Sequence, residues 1–140
     1  MSLTNKKAEF DYDILETFES GIVLTGEEVK SIRKNNVDFG GSHVVFGMGE
    51  AYVTNLHIGL KEGDSRRSRK LLLNKKEILS LKSKKESAGL TIIPIRLYNK
   101  GSKFKLEIAL VRGKKTHQKK DSLKSRDISR EIQRELKDNF

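Results

Sequence analysis

Residues 103–111 alternate: Phe104, Leu106, Ile108 and Leu110 fall on one side, Lys103, Lys105 and Glu107 on the other. Successive side chains of a strand point to opposite faces, so a period of two predicts a half-buried β-strand with one face on a core. Residues 90–98 precede it across residues 99–102, which makes the two runs a hairpin. Pro94 has no N–H for a ladder and belongs at an edge or a bulge.

The rest of the first four-fifths of the chain repeats this idiom in shorter pieces. Phe10, Tyr12 and Ile14 alternate with Asp11 and Asp13, which predicts a strand, and residues 18–24 form a second run whose Gly21 suits a bulge or a tight bend. Thr25 stands three residues before Glu28, a reciprocal capping pair that predicts a helix over residues 26–34 with Val29 and Ile32 inward. Residues 44–46 and 51–58 flank Gly47, Met48 and Gly49, where glycine supplies the positive φ of a hairpin turn. Residues 61–69 lack apolar periodicity and read as a loop. Asn74 and Glu77 repeat the capping signal ahead of Ile78 and Leu81, and Gly89 is placed to end that helix. Many short strands, glycine turns and two or three short helices predict a mainly β fold, a small antiparallel oligonucleotide-binding-like barrel.

The pattern stops after Val111. Residues 112–140 hold ten basic and five acidic side chains, and their large apolar residues are Leu123, Ile128, Ile132, Leu136 and the terminal Phe140. That is too little to make a core, so the expectation is a body over residues 1–111 and a basic tail over 112–140, disordered when free. Ile128, Ile132, Leu136 and Phe140 recur every four residues, a stripe that forms one face of a helix once something receives it.

Charge points to the partner. Lys and Arg number 29 against 19 Asp and Glu, a formal net charge of +10, and residues 61–85 alone carry ten basic and three acidic side chains. Such an excess neutralises phosphates. A membrane partner needs an apolar span or a greasy amphipathic face, and neither is visible. Residues 1–8 are polar and short of a signal peptide's apolar core, so the expected location is the cytoplasm. The chain has no cysteine, which excludes disulfides, thiolate metal sites and thiol nucleophiles, and His43, His57 and His117 lack metal-ligand spacing. No cofactor or metal is expected.

Three blocks stand out beyond composition: GIVLTGEEVKSIR at 21–33, RKLLLNKKEI at 69–78 and RGKKTHQKKD at 112–121. In order and spacing they resemble the SsrA-binding protein family, also called small protein B, over residues 5–131. The resemblance implies an RNA-binding adaptor, not an enzyme, that binds the transfer-RNA-like domain of transfer-messenger RNA. It implies delivery of that RNA to stalled bacterial ribosomes for trans-translation, as a monomer on its RNA. By position, the implied RNA-facing set is Asn5, Lys6 and Lys7, Glu19 in the FESG stretch read as a turn, Lys30 and Arg33 on the first helix, and Arg69, Lys70, Leu72 and Asn74. Gly113, Lys114, Lys115, His117, Lys119 and Lys120 match the family's ribosome-engaging segment. With Ile128, Ile132 and Leu136 they would enter the decoding and message-channel region of the small-subunit ribosomal RNA, the tail turning helical there. The family usually has a longer, proline-containing stretch where this chain has residues 59–68, and Asp-Lys-Arg where it has Gln118, Lys119 and Lys120.

Residue chemistry bears on each candidate. Basic clusters at 66–70 and 112–120 fit phosphate binding better than plain solvation, whereas Lys82, Lys84 and Lys85 fit a solvated helix face equally well. Glu19 is an acid on a surface meant for phosphates, so its benefit must be a specific hydrogen bond from a base amino or imino group. Tyr12, Phe39, Tyr52 and Tyr98 have rings able to stack on bases, although core or rim packing is the commoner fate of such residues. Two other functions compete with the adaptor. A generic RNA-binding or ribosomal protein needs more stacking aromatics than 6% of the chain provides. A metal-dependent nuclease would use Asp11 and Asp13 on one strand face to hold Mg²⁺, with no general base positioned by sequence.

Overall fold

The computed structural model of the chain describes residues 1–86 and 89–113. In chain order the elements are β1 (Ser2–Thr4), α1 (Ala8–Asp11), β2 (Tyr12–Ile22), α2 (Gly26–Arg33), β3 (Val37–Asp38), β4 (His43–Gly47), β5 (Glu50–Thr54), β6 (His57–Ile58), β7 (Arg69–Leu72), α3 (Lys75–Lys85), β8 (Leu90–Lys100) and β9 (Lys103–Gly113). Seven strands form one antiparallel sheet in the order β1-β8-β9-β2-β7-β5-β4, and β3 pairs with β6 beside it.

The β8–β9 hairpin is the axis of the sheet. Lys100 pairs with Lys103 across Gly101 and Ser102, and Gly101 takes a φ of 65° that the two-residue turn requires. Phe104, Leu106, Ile108 and Leu110 enter the main core as the alternation demands. The ladder slips between Pro94 and Arg96, so the proline sits at a bulge. On the opposite face Ala109 and Val111 are also buried, in a second small cluster with Ile93 and Ala8 of α1.

Two sequence expectations change here. Phe10 and Asp11 belong to α1, and the two runs expected at 10–14 and 18–24 are one strand, β2, whose irregularity falls between Ile14 and Glu16 instead of at Gly21. The run at 51–58 is cut at Asn55, whose φ of 61° turns the chain so that His57 and Ile58 pair with β3. In the β4–β5 turn the positive φ values belong to Met48 and Gly49.

Both capping boxes are formed. Thr25 Oγ1 accepts from Glu28 N while Glu28 Oε1 accepts from Thr25 N, and Asn74 with Glu77 does the same for α3. Ile32 of α2 and Ile78 and Leu81 of α3 reach the main core, with Val29 partly buried against it. Gly89 is left-handed, φ 79°, but lies beyond the α3 C-cap, Glu86. The sheet is not a closed hydrogen-bonded cylinder. It curls until its edge strand β4 packs against β8, and Lys85 Nζ ties α3 to that edge by donating to Val44 O at 3.0 Å. The result is a nearly closed oligonucleotide-binding-like barrel. Among the described residues, no helix is long and apolar enough to cross a membrane.

Candidate nucleic-acid interface

Register places several candidate side chains on one outer face. Gly21 pairs with Leu72 on one side and with Lys105 on the other, and Lys105 pairs with Tyr98. Leu72, Gly21, Lys105 and Tyr98 therefore form a row across four strands, and Glu19, Glu107 and Arg96 form the next row. Leu72 approaches Gly21 closely: a Cβ on the glycine would lie 3.1 Å from the Leu72 Cβ. Leu72 lies over the glycine and remains 56% exposed, an apolar spot in a polar field.

Glu19 is in the middle of β2 and not in a turn. The Tyr98 hydroxyl donates to its Oε2, and Lys100 Nζ stands 3.5 Å from its Oε1. The Tyr98 hydrogen bond is the main reason its carboxyl is held below the usual range, with Lys100 and Lys105 adding to it. Burial and the same bond push the Tyr98 hydroxyl up to about 12, so it stays a donor at neutral pH. Behind the ring, the Arg96 guanidinium lies 4.1 Å from its centroid, and Arg96 Nε is 3.3 Å from Glu107 Oε1.

Other candidates flank this face. Lys70 and Leu72 alternate outward on β7, Lys70 lying 3.7 Å from Glu50. Asn74 spends its side-chain oxygen on the α3 cap, accepting from Glu77 N at 2.8 Å. Asn5 is an anchor: its Nδ2 donates to Pro94 O at 3.0 Å and its backbone N to Ile95 O at 2.8 Å. That leaves Lys6 and Lys7 exposed along an open groove of about 720 Å³ shared with Tyr12, Phe39 and His43. Lys30 and Arg33 are exposed on α2, and Lys30 lines a separate groove with Lys34, His57 and Lys61.

Arg69 is a correction. It does not face solvent; its side chain is completely buried, with Nε 2.5 Å from Glu28 Oε2, Nη1 donating to Leu56 O at 2.6 Å and Nη2 to Ser65 O at 3.0 Å. Arg67 joins the same carboxylate, Nε and Nη2 at 3.0 and 2.5 Å, and Arg66 donates to Asn55 O at 3.0 Å. Within the basic cluster at 66–70, Arg69 is thus sealed inside the fold and Arg67 partly buried, while Arg66 and Lys70 stay exposed. Burial alone would raise the Glu28 carboxyl, but the bonds from Arg67, the Thr25 amide and Arg69 prevail and hold it low. Gly113 is likewise not a tail residue in this structure: it pairs with Tyr12 at the end of β9. Lys114, Lys115, His117, Lys119, Lys120, Ile128, Ile132 and Leu136 lie outside the described residues.

Asp11 closes α1 while Asp13 is on β2, so the shared strand face needed for the nuclease reading is not formed. Among the described residues no three His, Asp or Glu side chains converge as metal ligands. Local sequence does not single out Lys100, Lys105 or Arg96, nor does it distinguish Tyr98 from Tyr12, Phe39 and Tyr52. The available signal was the hairpin register, which sets Tyr98 and Lys105 on the polar side, opposite the buried Leu97 and Leu106.

Comparison with known proteins gives a consistent answer. A family model described as SmpB protein matches residues 2–138. The SsrA-binding protein of Sulfurihydrogenibium sp. is 49% identical over 140 residues, covering 96% of this chain and 92% of that one. Those of Mycoplasmopsis pulmonis and Oleidesulfovibrio alaskensis are 48% and 46% identical, covering 93% and 94% of this chain and 92% and 89% of theirs. A solved structure described as "tmRNA-SmpB: a journey to the center of the bacterial ribosome" superposes with a TM-score of 0.70 at 46% identity, over 81% of this chain and 85% of the other.

Proposed function

The chain belongs to the SmpB protein family, and we propose on that premise that it is an RNA-binding adaptor. It binds transfer-messenger RNA through the transfer-RNA-like domain and delivers it to stalled ribosomes for trans-translation. The observation that carries this is identity of nearly one half to SsrA-binding proteins over more than nine-tenths of the chain. A polar outer face beside an excess of exposed lysines supports it.

In this reading the protein performs no chemistry of its own. Lys6, Lys7, Lys30, Arg33 and Lys70 neutralise phosphates and release condensed counterions, so affinity falls with salt. Glu19, Leu72 and Asn74 supply directional and apolar contacts to bases in unpaired loops. Arg69 contributes by holding β7 and the 56–65 segment in place, not by touching RNA. The working location is the cytoplasm, where the ribosomes are. Residues 114–140 act as a tail on small-subunit ribosomal RNA, the basic side chains drawing it along the message channel and the apolar stripe settling into a helix there.

The test is a reconstituted tagging assay beside an RNA-binding assay on the full chain and on a chain ending at Gly113. The shortened protein is expected to keep its affinity for the transfer-RNA-like domain and its melting temperature, yet to leave stalled peptides untagged. Tagging at the parental rate would remove the tail from the mechanism. Equal affinity of the full chain for random duplex RNA at moderate salt would remove the adaptor reading itself.

A further inference from the structure

Glu19 poses a problem that its own position does not solve. An exposed carboxylate on a surface that meets phosphates repels them, and a glutamate free to rotate is a poor acceptor for one chosen donor. The β8–β9 hairpin answers both difficulties. Lys100 Nζ, 3.5 Å from Oε1, offsets the charge on one oxygen, and the Tyr98 hydroxyl donates to the other, Oε2. A carboxylate has roughly four acceptor positions, so both oxygens keep lone pairs after these contacts. Tyr98 is itself held: Arg96 lies 4.1 Å from its ring centroid, and its backbone pairs with Ser2 on one side and Lys105 on the other.

We propose that Tyr98 is a positioning residue for RNA recognition, its hydroxyl fixing the Glu19 carboxylate as an oriented acceptor for a base amino or imino donor, with Lys100 as the second anchor. The proposal rests on the reading of Glu19 as an RNA contact. It makes β8, an element remote in sequence from β2, part of the reading surface. Tyr98 acts through Glu19: one face of its ring is taken by Arg96 and its hydroxyl by the carboxylate.

A double-mutant cycle on the full chain tests this, with Glu19→Ala, Tyr98→Phe and both together, measured against the transfer-RNA-like domain of transfer-messenger RNA. Tyr98→Phe keeps the ring and its contact with Arg96, and melting curves establish that each variant folds. Loss of one hydrogen bond to a charged group at an exposed site should weaken binding about fivefold in the parent. In the Glu19→Ala background the same change should cost less than about twofold, since the group it orients is gone. A second readout needs no RNA: the Glu19 side-chain carboxyl, followed by NMR titration, should move up toward 4.5 in Tyr98→Phe. Full additivity would mean that Tyr98 meets RNA on its own account and overturns the positioning role. So would parental affinity in Tyr98→Phe beside a weakened Glu19→Ala. An unchanged Glu19→Ala would instead sink the underlying reading of Glu19, with Tyr98 still visible in the titration as a partner of a carboxylate that RNA does not use.

Discussion

Glu19 and Glu28 lie nine residues apart in one segment, and each carboxylate is bonded to groups from distant parts of the chain. Glu28 meets Arg67 and Arg69 in a sealed site where its side chain and that of Arg69 are 0% exposed. Glu19 meets Tyr98 and Lys100 on an outer face where 42% of its side chain remains in solvent. The chemistry is alike and the consequence differs. In the closed site every acceptor is consumed by the fold, and the charges join α2, β7 and the 57–68 segment. In the open site the partners orient the acid and leave part of it available. Burial, more than residue type, decides whether an ionic cluster is used up by the fold or stays open to solvent.

The largest effect expected from this contrast is at Arg69. Arg69→Ala takes from Glu28 its one fully buried partner, leaves Arg67 as the remaining arginine, and removes a donor from Leu56 O and from Ser65 O; breaking a buried pair from one side costs about 3–5 kcal/mol. Against a total stability of about 5–15 kcal/mol, urea melts should show a large fall in midpoint. Affinity for RNA per folded molecule should stay near parental, because the guanidinium does not reach the surface. A variant with parental stability and lost RNA binding would invert the assignment. The same site predicts an acid limb. The folded Glu28 carboxyl lies below 4.5, so its contribution is fully present above that pH and is lost as pH falls through the lower folded value. Glu28→Gln should flatten this limb in a pH series of melting temperatures.

Next in size is Glu19→Ala. The open site supplies a directional acceptor, so its removal should weaken RNA binding about tenfold while the melting temperature is unchanged. Attraction to phosphates alone predicts the opposite sign, tighter binding from a more positive surface. Below it comes Gly21→Ala. The new Cβ would crowd the Leu72 Cβ at 3.1 Å, and such overpacking costs about 1 kcal/mol, read as a modest shift in urea midpoint.

What the sequence disclosed follows the same division. Local rules were sufficient where a few neighbouring residues settle the outcome. The period of two in 103–111, the Thr25 and Asn74 caps and the bulge at Pro94 all appear in the structure. They failed where distant partners decide. β1 is only three residues, too short to announce a period, and exists through its ladder with β8 and the packing of Leu3 on the core. The alternation at 10–14 looks like a strand, yet Ala8 packs on Ile93, Ala109 and Val111 and the chain makes a helical turn there first. Arg69 and Lys70 are neighbours of the same charge that strand alternation sends to opposite faces; that the inward one is an arginine with partners follows only from the approach of α2 and the 56–65 segment. Tyr98 was undifferentiated among the aromatics because its partner is 79 residues away.

The smallest expected effect is the sharpest control on the contrast. Lys84 Nζ is 2.6 Å from Glu16 Oε2, nearly the same separation as the 2.5 Å between Arg69 and Glu28, but both side chains of the first pair are 42% exposed. Water already solvates these charges in the unfolded chain and screens them in the folded one. The gain on pairing is therefore small and is offset by the entropy of holding a lysine in one rotamer. Lys84→Ala should lower stability by no more than about 0.5 kcal/mol. It should also leave RNA affinity within about twofold, since one exposed lysine already paired to an acid has little counterion release to offer. The measurement is a urea melt of Lys84→Ala beside Arg69→Ala at two salt concentrations. Added salt should erase the small Lys84 effect and leave the Arg69 effect almost intact, because a sealed pair is out of reach of counterions. If the two substitutions cost the same, distance rather than burial sets the worth of an ion pair in this protein, and the distinction between the closed and the open cluster fails.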